Sequence, residues 1–124
     1  MVTTTDVFSG MTVNDIPAAQ AFYEKLGMEV EETQNGLAVR GNGHAVFVYP
    51  KDDHQPATYT ALYLAVPDID AAVDELVASG IEMQRYEGMH QDEKGIARGK
   101  SANMGPDIAW FLDPAGNILA VLTE

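Results

Sequence analysis

The residues best equipped for chemistry gather in one polar stretch, Met89-His90-Gln91-Asp92-Glu93-Lys94-Gly95. His90, Asp92 and Glu93 are side-chain types that ligate metals or carry protons. Their close spacing makes them a candidate non-standard site; the plainer reading is a polar loop over a cavity mouth. Three of the seven basic residues, Lys94, Arg98 and Lys100, stand in the same part of the chain. Either they balance charge on an exposed loop, or Arg98 or Lys100 meets an anionic group on a ligand. The other two histidines are His44, at the first residue of a strand candidate, and His54, in a linker, where surface positions are expected. No nucleophile triad, phosphate-cradling loop or pair of carboxylates stands out. The stretch Gly95-Ile96-Ala97-Arg98-Gly99-Lys100 has glycines, but it follows no clear strand and precedes no clear helix.

The elements that position these groups must come from 124 residues, enough for one domain with a sizeable core and too few for two conventional ones. Nineteen acidic against seven basic residues give a net charge of −12. Nucleic acid is therefore a poor partner, because phosphates demand a basic footprint. The acidic residues lie in short groups (Glu29, Glu31, Glu32; Asp52, Asp53; Asp68, Asp70, Asp74, Glu75) and read as a solvated face, the alternative being attraction of a cationic ligand. No long apolar span occurs, and no basic segment precedes an apolar one, which argues against a membrane helix and a secretory signal. With no cysteine there is no disulfide, thiolate metal site or cysteine nucleophile. A cytoplasmic location fits.

Val7 to Val13 alternates as a strand, with Met11 and Val13 on one face and Phe8, Gly10 and Thr12 on the other. A helix follows: Asp15 caps it, Pro17 is tolerated in its first turn, and Gly27 stops it. Ile16, Ala19, Phe22, Tyr23 and Leu26 share one stripe. Met28–Thr33, Gly36–Arg40 and His44–Tyr49 are short strand candidates separated by Asn-Gly and Gly-Asn-Gly turns. Pro50 to Ala57 reads as a linker. The pattern then restarts with a strand at Tyr59–Val66, a cap at Asp68, a helix at Ile69–Ser79 and a stop at Gly80. Val13-Asn14-Asp15-Ile16-Pro17-Ala18-Ala19 aligns with Val66-Pro67-Asp68-Ile69-Asp70-Ala71-Ala72, and the 53-residue offset from Asp15 to Asp68 recurs from Gly27 to Gly80. This points to an internal duplication. Ile81–Glu87, a loop from Gly88 to Asp107, and a hairpin across Asp113-Pro114-Ala115-Gly116-Asn117 complete the chain.

The duplicated βαβββ unit, the start Val13-Asn14-Asp15-Ile16-Pro17-Ala18-Ala19-Gln20-Ala21-Phe22-Tyr23 and the Asp113-Pro114-Ala115-Gly116-Asn117 finish resemble the vicinal oxygen chelate superfamily. Glyoxalase I, extradiol dioxygenases and bleomycin-resistance proteins are among its members. The resemblance spans essentially the whole chain. It implies an α+β fold in which two βαβββ modules form an eight-stranded curved sheet around a central cup, with the helices outside. It implies one domain over residues 1–124, with module 1 at about 6–49, a linker at about 50–57 and module 2 at about 58–124. It also implies a homodimer.

Metal-dependent members of that superfamily carry His or Glu ligands at four strand positions. Here those places hold Phe8, Ala61, Ala120, and Phe47 or Tyr49. Apart from the Tyr49 phenol, none offers an oxygen or nitrogen ligand. With Phe8 and Ala61 facing the cup, alternation also directs Thr12, Tyr63, Ala65, Phe47 and Tyr49 there, and Trp110 and Ala120 come from the closing hairpin; these side chains either line a pocket or fill the cup as core. The expectation is a metal-independent protein with no cofactor that binds an apolar or aromatic small molecule on this surface, with Arg98 as the candidate polar contact. The alternative is a lyase, isomerase or dioxygenase of the same superfamily using a non-standard site. A small molecule and a second copy of the chain are the expected partners, and nucleic acid and membrane are not; a protein retained mainly for an interaction is the third reading.

Overall fold

The computed structural model describes residues 1–124 and contains two helices and nine strands. It divides into two units, Met1–Pro56 and Ala57–Glu124. The division falls inside the stretch read from sequence as a linker.

In the first unit, β1 (Ser9–Val13) is followed by α1 (Ile16–Lys25), β2 (Glu29–Thr33), β3 (Gly36–Gly41) and β4 (His44–Pro50). The strand order is β1-β4-β3-β2, with β1 parallel to β4 and the other pairs antiparallel. Asp15 stands in an extended conformation, and its carboxylate accepts the Ala18 N–H at 3.1 Å. It thereby satisfies a backbone donor that the first helical turn cannot. Ala19 and Tyr23 are the buried residues of the helix, while Val13, Leu37, Val39, Val46 and Val48 bury the facing side of the sheet. Register places Gly10 beside Phe47 and Thr12 beside Tyr49, so these residues share the opposite face.

The second unit repeats the plan. β5 (Thr60–Ala65), α2 (Ile69–Ala78), β6 (Met83–Gln84), β7 (Ala97–Arg98), β8 (Asp107–Leu112) and β9 (Ile118–Thr123) follow in sequence. The order β5-β9-β8-β6 reproduces that of the first unit, again with the outer strand β5 parallel to its neighbour β9. The aligned caps behave alike: Asp15 has φ −141° and ψ 101°, Asp68 φ −141° and ψ 103°, and Asp68 accepts the Ala71 N–H at 3.1 Å. The two stops match as well, Gly27 at φ 91° and Gly80 at φ 90°, a region that costs a residue with a Cβ. The duplication inferred from one repeated string is therefore a duplication of topology.

The units differ at one edge. β6 pairs Met83 with Phe111 and Gln84 with Trp110, and uninterrupted pairing would put Tyr86 opposite Ile108. Ala97 stands there instead, so 97 − 86 = 11 extra residues loop out before β7 resumes the edge. The reading of Ile81–Glu87 as one strand thus shortens to Met83–Gln84, and a ninth strand lies inside the stretch read as loop. Elsewhere the expected strands and helices lie within two residues of their observed ends. One face of this sheet packs on α2, burying Ala109, Phe111, Leu119 and Val121 with Ile69 and Val73 of the helix. Burying a phenylalanine such as Phe111 is worth about 2 kcal/mol in transfer free energy. Neither helix is long and apolar enough to cross a membrane.

Candidate functional site

The looped-out segment between β6 and β7 has no ladder partner, so its backbone must be satisfied in another way. Gln91 does much of this. Its carboxamide oxygen accepts the Tyr86 N–H at 2.8 Å, and its nitrogen donates to the carbonyls of Gln84 at 2.9 Å and Gly95 at 2.7 Å. One side-chain amide thus takes the place of the missing strand neighbour. Asp92 closes the return. One carboxylate oxygen accepts the N–H groups of Lys94 and Ile96, each at 2.9 Å, and the other accepts Arg98 Nε at 3.0 Å. Ile96, with no exposed surface, plugs the segment onto the unit's core.

Arg98 extends this network to the helix. Its two terminal nitrogens donate to the Asp70 carboxylate at 2.8 and 3.0 Å, a two-pronged geometry suited to guanidinium and carboxylate. Lys94 reaches Asp74 at 3.1 Å and Asp70 at 3.4 Å. The Arg98 guanidinium hydrogen-bonded to Asp70 holds that carboxyl down to about 2. Burial pushes Asp92 up, but the Ile96 and Lys94 N–H groups and Arg98 together outweigh it and leave the acid below its ordinary value.

The segment forms one wall of a pocket of about 610 Å3. Ile108 and Trp110 of β8 and Ala97 of β7 lie along its floor, on the sheet face away from α2. The second wall is the turn between β7 and β8, including Gly99, Met104 and Pro106. Gly99 is required by space: a Cβ there would collide with the Pro106 and Gly105 carbonyl oxygens. Gly99→Ala is expected to push this wall outward and destabilise the unit by about 1–2 kcal/mol, read as a lowered melting temperature. An unchanged melting curve would show that the turn yields freely.

Tyr86 packs edge-on against Trp110, ring centroids 5.5 Å apart. Its hydroxyl is buried with no hydrogen-bond partner, and burial pushes the phenol up. A buried hydroxyl of this kind destabilises the fold rather than supporting it. Tyr86→Phe keeps the ring contact, so it is expected to leave thermal stability unchanged or raise it by up to about 1 kcal/mol. A clear loss in a melting experiment would mean that the hydroxyl has a partner.

The residues singled out from sequence are distributed as follows. Trp110 is in the pocket. Ala120 lies between Tyr63 and Trp110 in register but is wholly buried, so it offers no surface to a ligand. Tyr63 and Ala65 line a separate hollow of about 480 Å3 with Leu122 and Pro106. Ala61 sits where the β5–β9 register shifts and has no direct partner. In the first unit, Thr12, Phe47 and Tyr49 share the face away from α1, and Phe8, just before β1, is exposed. The Phe47 and Tyr49 rings stack at 5.3 Å, and Thr12 Oγ1 is 2.6 Å from His54 Nδ1.

Arg98 and Asp92 line the Trp110 pocket, but their charged groups are engaged with each other, with Asp70 and with the backbone. His90 lines the same pocket, whereas Glu93 lines a hollow beside α2. The three therefore do not converge, and no group of three or more His, Asp or Glu side chains is placed to hold a metal ion. Lys100 is exposed, and Ser9 Oγ lies 3.4 Å from His44 Nε2. Tyr86, Gln91, Met89, Met104 and Ile108 were not singled out from sequence. Their one common signal is membership of, or adjacency to, the long loop.

The sequence matches the family described as the Glyoxalase/Bleomycin resistance protein/Dioxygenase superfamily over residues 5–121. The chain belongs to that superfamily. Solved structures with the same fold include a putative glyoxalase family protein from Bacillus anthracis, with 18% identity, 100% of this chain and 99% of that one covered, and a TM-score of 0.69. The genomically encoded fosfomycin resistance protein FosX from Listeria monocytogenes gives 15% identity, coverage of 100% and 95%, and a TM-score of 0.70. A glyoxalase family protein from Enterococcus faecalis gives 19% identity, coverage of 95% and 97%, and a TM-score of 0.68. At such identities these structures speak for the fold alone. No protein of curated function matches the chain. The four positions that the resemblance assigns to the superfamily's metal ligands do not supply a divalent-metal donor set in this chain. Phe8 and Phe47 in one unit, and Ala61 and Ala120 in the other, carry neither oxygen nor nitrogen in their side chains, and only Tyr49 offers a phenol.

Proposed function

We propose that this superfamily member binds a flat, apolar small molecule against Trp110, without a divalent metal, and acts by sequestering it. The observation that carries the reading is the pocket itself. It is about 610 Å3, floored by Ile108 and Trp110, and the charged side chains on its wall are already neutralised by partners within the unit. Such a site rewards burial of apolar surface and aromatic contact, and it offers little to an anion. A homodimer, as the superfamily resemblance implies, is part of the proposal, and sedimentation tests it separately.

Trp110 is the single tryptophan, so its emission reports on this pocket alone. Titration of chelator-free protein with N-phenylnaphthylamine, a neutral aromatic probe, is expected to give saturable quenching at one site per chain. Added chelator is expected to leave the curve unchanged. Emission that stays flat to the solubility limit of the probe defeats the reading. Quenching abolished by chelator defeats its metal-independent part.

A further inference from the structure

We infer that Met89 and Met104 form an oxidisable jaw on the Trp110 pocket, a methionine modification site through which peroxide-class oxidants lower its affinity for apolar ligands. The effect on ligands rests on the binding proposed above; the modification and its effect on Trp110 do not.

Both methionines line the pocket that Trp110 floors, and they come from different walls, Met89 from the looped-out segment and Met104 from the β7–β8 turn. Both are open to solvent, Met104 at 83% and Met89 at 47%. Their backbones are fixed: the Met89 N–H donates to the Tyr86 carbonyl at 3.1 Å and the Met104 N–H to the Gly99 carbonyl at 2.8 Å. An oxidant therefore reaches two exposed thioethers carried on anchored backbone. The chain has no cysteine, so its six methionines are its entire sulfur chemistry. Of the others, Met1 is exposed at the terminus, and Met11, Met28 and Met83 are half-buried.

The chemistry balances without a further reactant. The thioether sulfur donates an electron pair to one oxygen of hydrogen peroxide, the O–O bond breaks, an S–O bond forms, and the proton of the attacked oxygen passes to the departing hydroxide, which leaves as water. Sulfur is oxidised by two electrons and peroxide is reduced by two. The product is a sulfoxide, a strong hydrogen-bond acceptor where the pocket had a soft apolar contact suited to aromatic rings. A bound apolar ligand then either buries that oxygen without a donor or leaves water in the pocket.

The test compares each protein before and after hydrogen peroxide, with peptide mass mapping to locate the added oxygen. Met104 and Met89 are expected to be oxidised ahead of Met11, Met28 and Met83. Without ligand, Trp110 emission is expected to shift to the red. With N-phenylnaphthylamine, the apparent Kd is expected to rise about tenfold. The double variant Met89→Leu/Met104→Leu, taken from its own untreated value, is expected to show neither change, and methionine sulfoxide reductase is expected to reverse both in the unsubstituted protein. Emission and affinity that stay put while both sulfurs carry oxygen overturn the inference. A double variant as sensitive as the parent does so too. A red shift in a protein that never binds the probe removes the ligand reading and leaves the modification site standing.

Discussion

Asp113→Ala is expected to lower the stability of the second unit by about 3 kcal/mol, because it strips a buried turn of its only anionic acceptor. One Asp113 oxygen accepts the N–H groups of Ala115 at 2.9 Å and Asn117 at 2.8 Å, and the other accepts the Asn117 side-chain amide at 3.0 Å. Asp113 and Asn117 are 4% and 3% exposed, so water cannot replace the lost acceptor without opening the turn. The Asp113 N–H also donates to the Asn117 carbonyl at 3.0 Å, which makes this the first rung of the β8–β9 hairpin. A melting temperature lower by about 10 °C is the corresponding reading. Asp113→Asn keeps one acceptor and sets an amide against the Asn117 amide, so it should fall between the two. If Asp113→Ala melts within a degree or so of the parent, Pro114 and Gly116 alone suffice to form the turn.

The same turn shows what was legible in the sequence. Asp-Pro-x-Gly-Asn identified a turn because its dihedral preferences are local, and the caps at Asp15 and Asp68 were legible for the same reason. A repeated string with a repeated stop then implied a repeated topology, which the two strand orders reproduce. Residues 81–107 resisted this reading. β6 and β7 have two residues each, too few to show alternation. Between them, backbone groups are satisfied by Gln91 and Asp92 side chains, and such bonding leaves no period to detect. Arg98 illustrates the distance problem. Its charge and loop position suggested a ligand anion, yet the anions it meets are Asp92 within the loop and, 28 residues earlier on α2, Asp70. Nothing within the loop could reveal the Asp70 contact. Ala120 was placed on the correct strand, but its lack of exposed surface became visible only once its neighbours Tyr63 and Trp110 were in register.

Removing Asp92 is expected to dismantle the pocket wall while sparing the sheet. Asp92→Ala leaves the Ile96 N–H without its acceptor beneath a side chain of zero exposure, frees the Lys94 N–H, and cuts Arg98 from the looped-out segment. The unpaired donor alone costs about 2 kcal/mol. The amides of Lys94 and Ile96 should exchange with solvent much faster, those of β8 and β9 should not, and N-phenylnaphthylamine should no longer saturate Trp110 quenching. Asp92→Asn keeps the oxygen that serves the two N–H groups but loses the charge facing Arg98, so it separates the backbone role from the ionic one. Acid should imitate the ionic loss in the parent protein. Asp70 and Asp92 have lowered native pKa values against an ordinary 3.8, so folding favours their ionised forms. Their contribution is complete above that ordinary value and disappears as pH falls through the native values, about 2 for Asp70. Protection of the looped-out amides should therefore be flat from neutral pH down to the upper end of the carboxylate range and should decline below it. Because these charges are partly exposed, added salt should weaken the protection at neutral pH as well. Protection that ignores both acid and salt would mean that Gln91 and the buried Ile96 hold the wall without the ionic network.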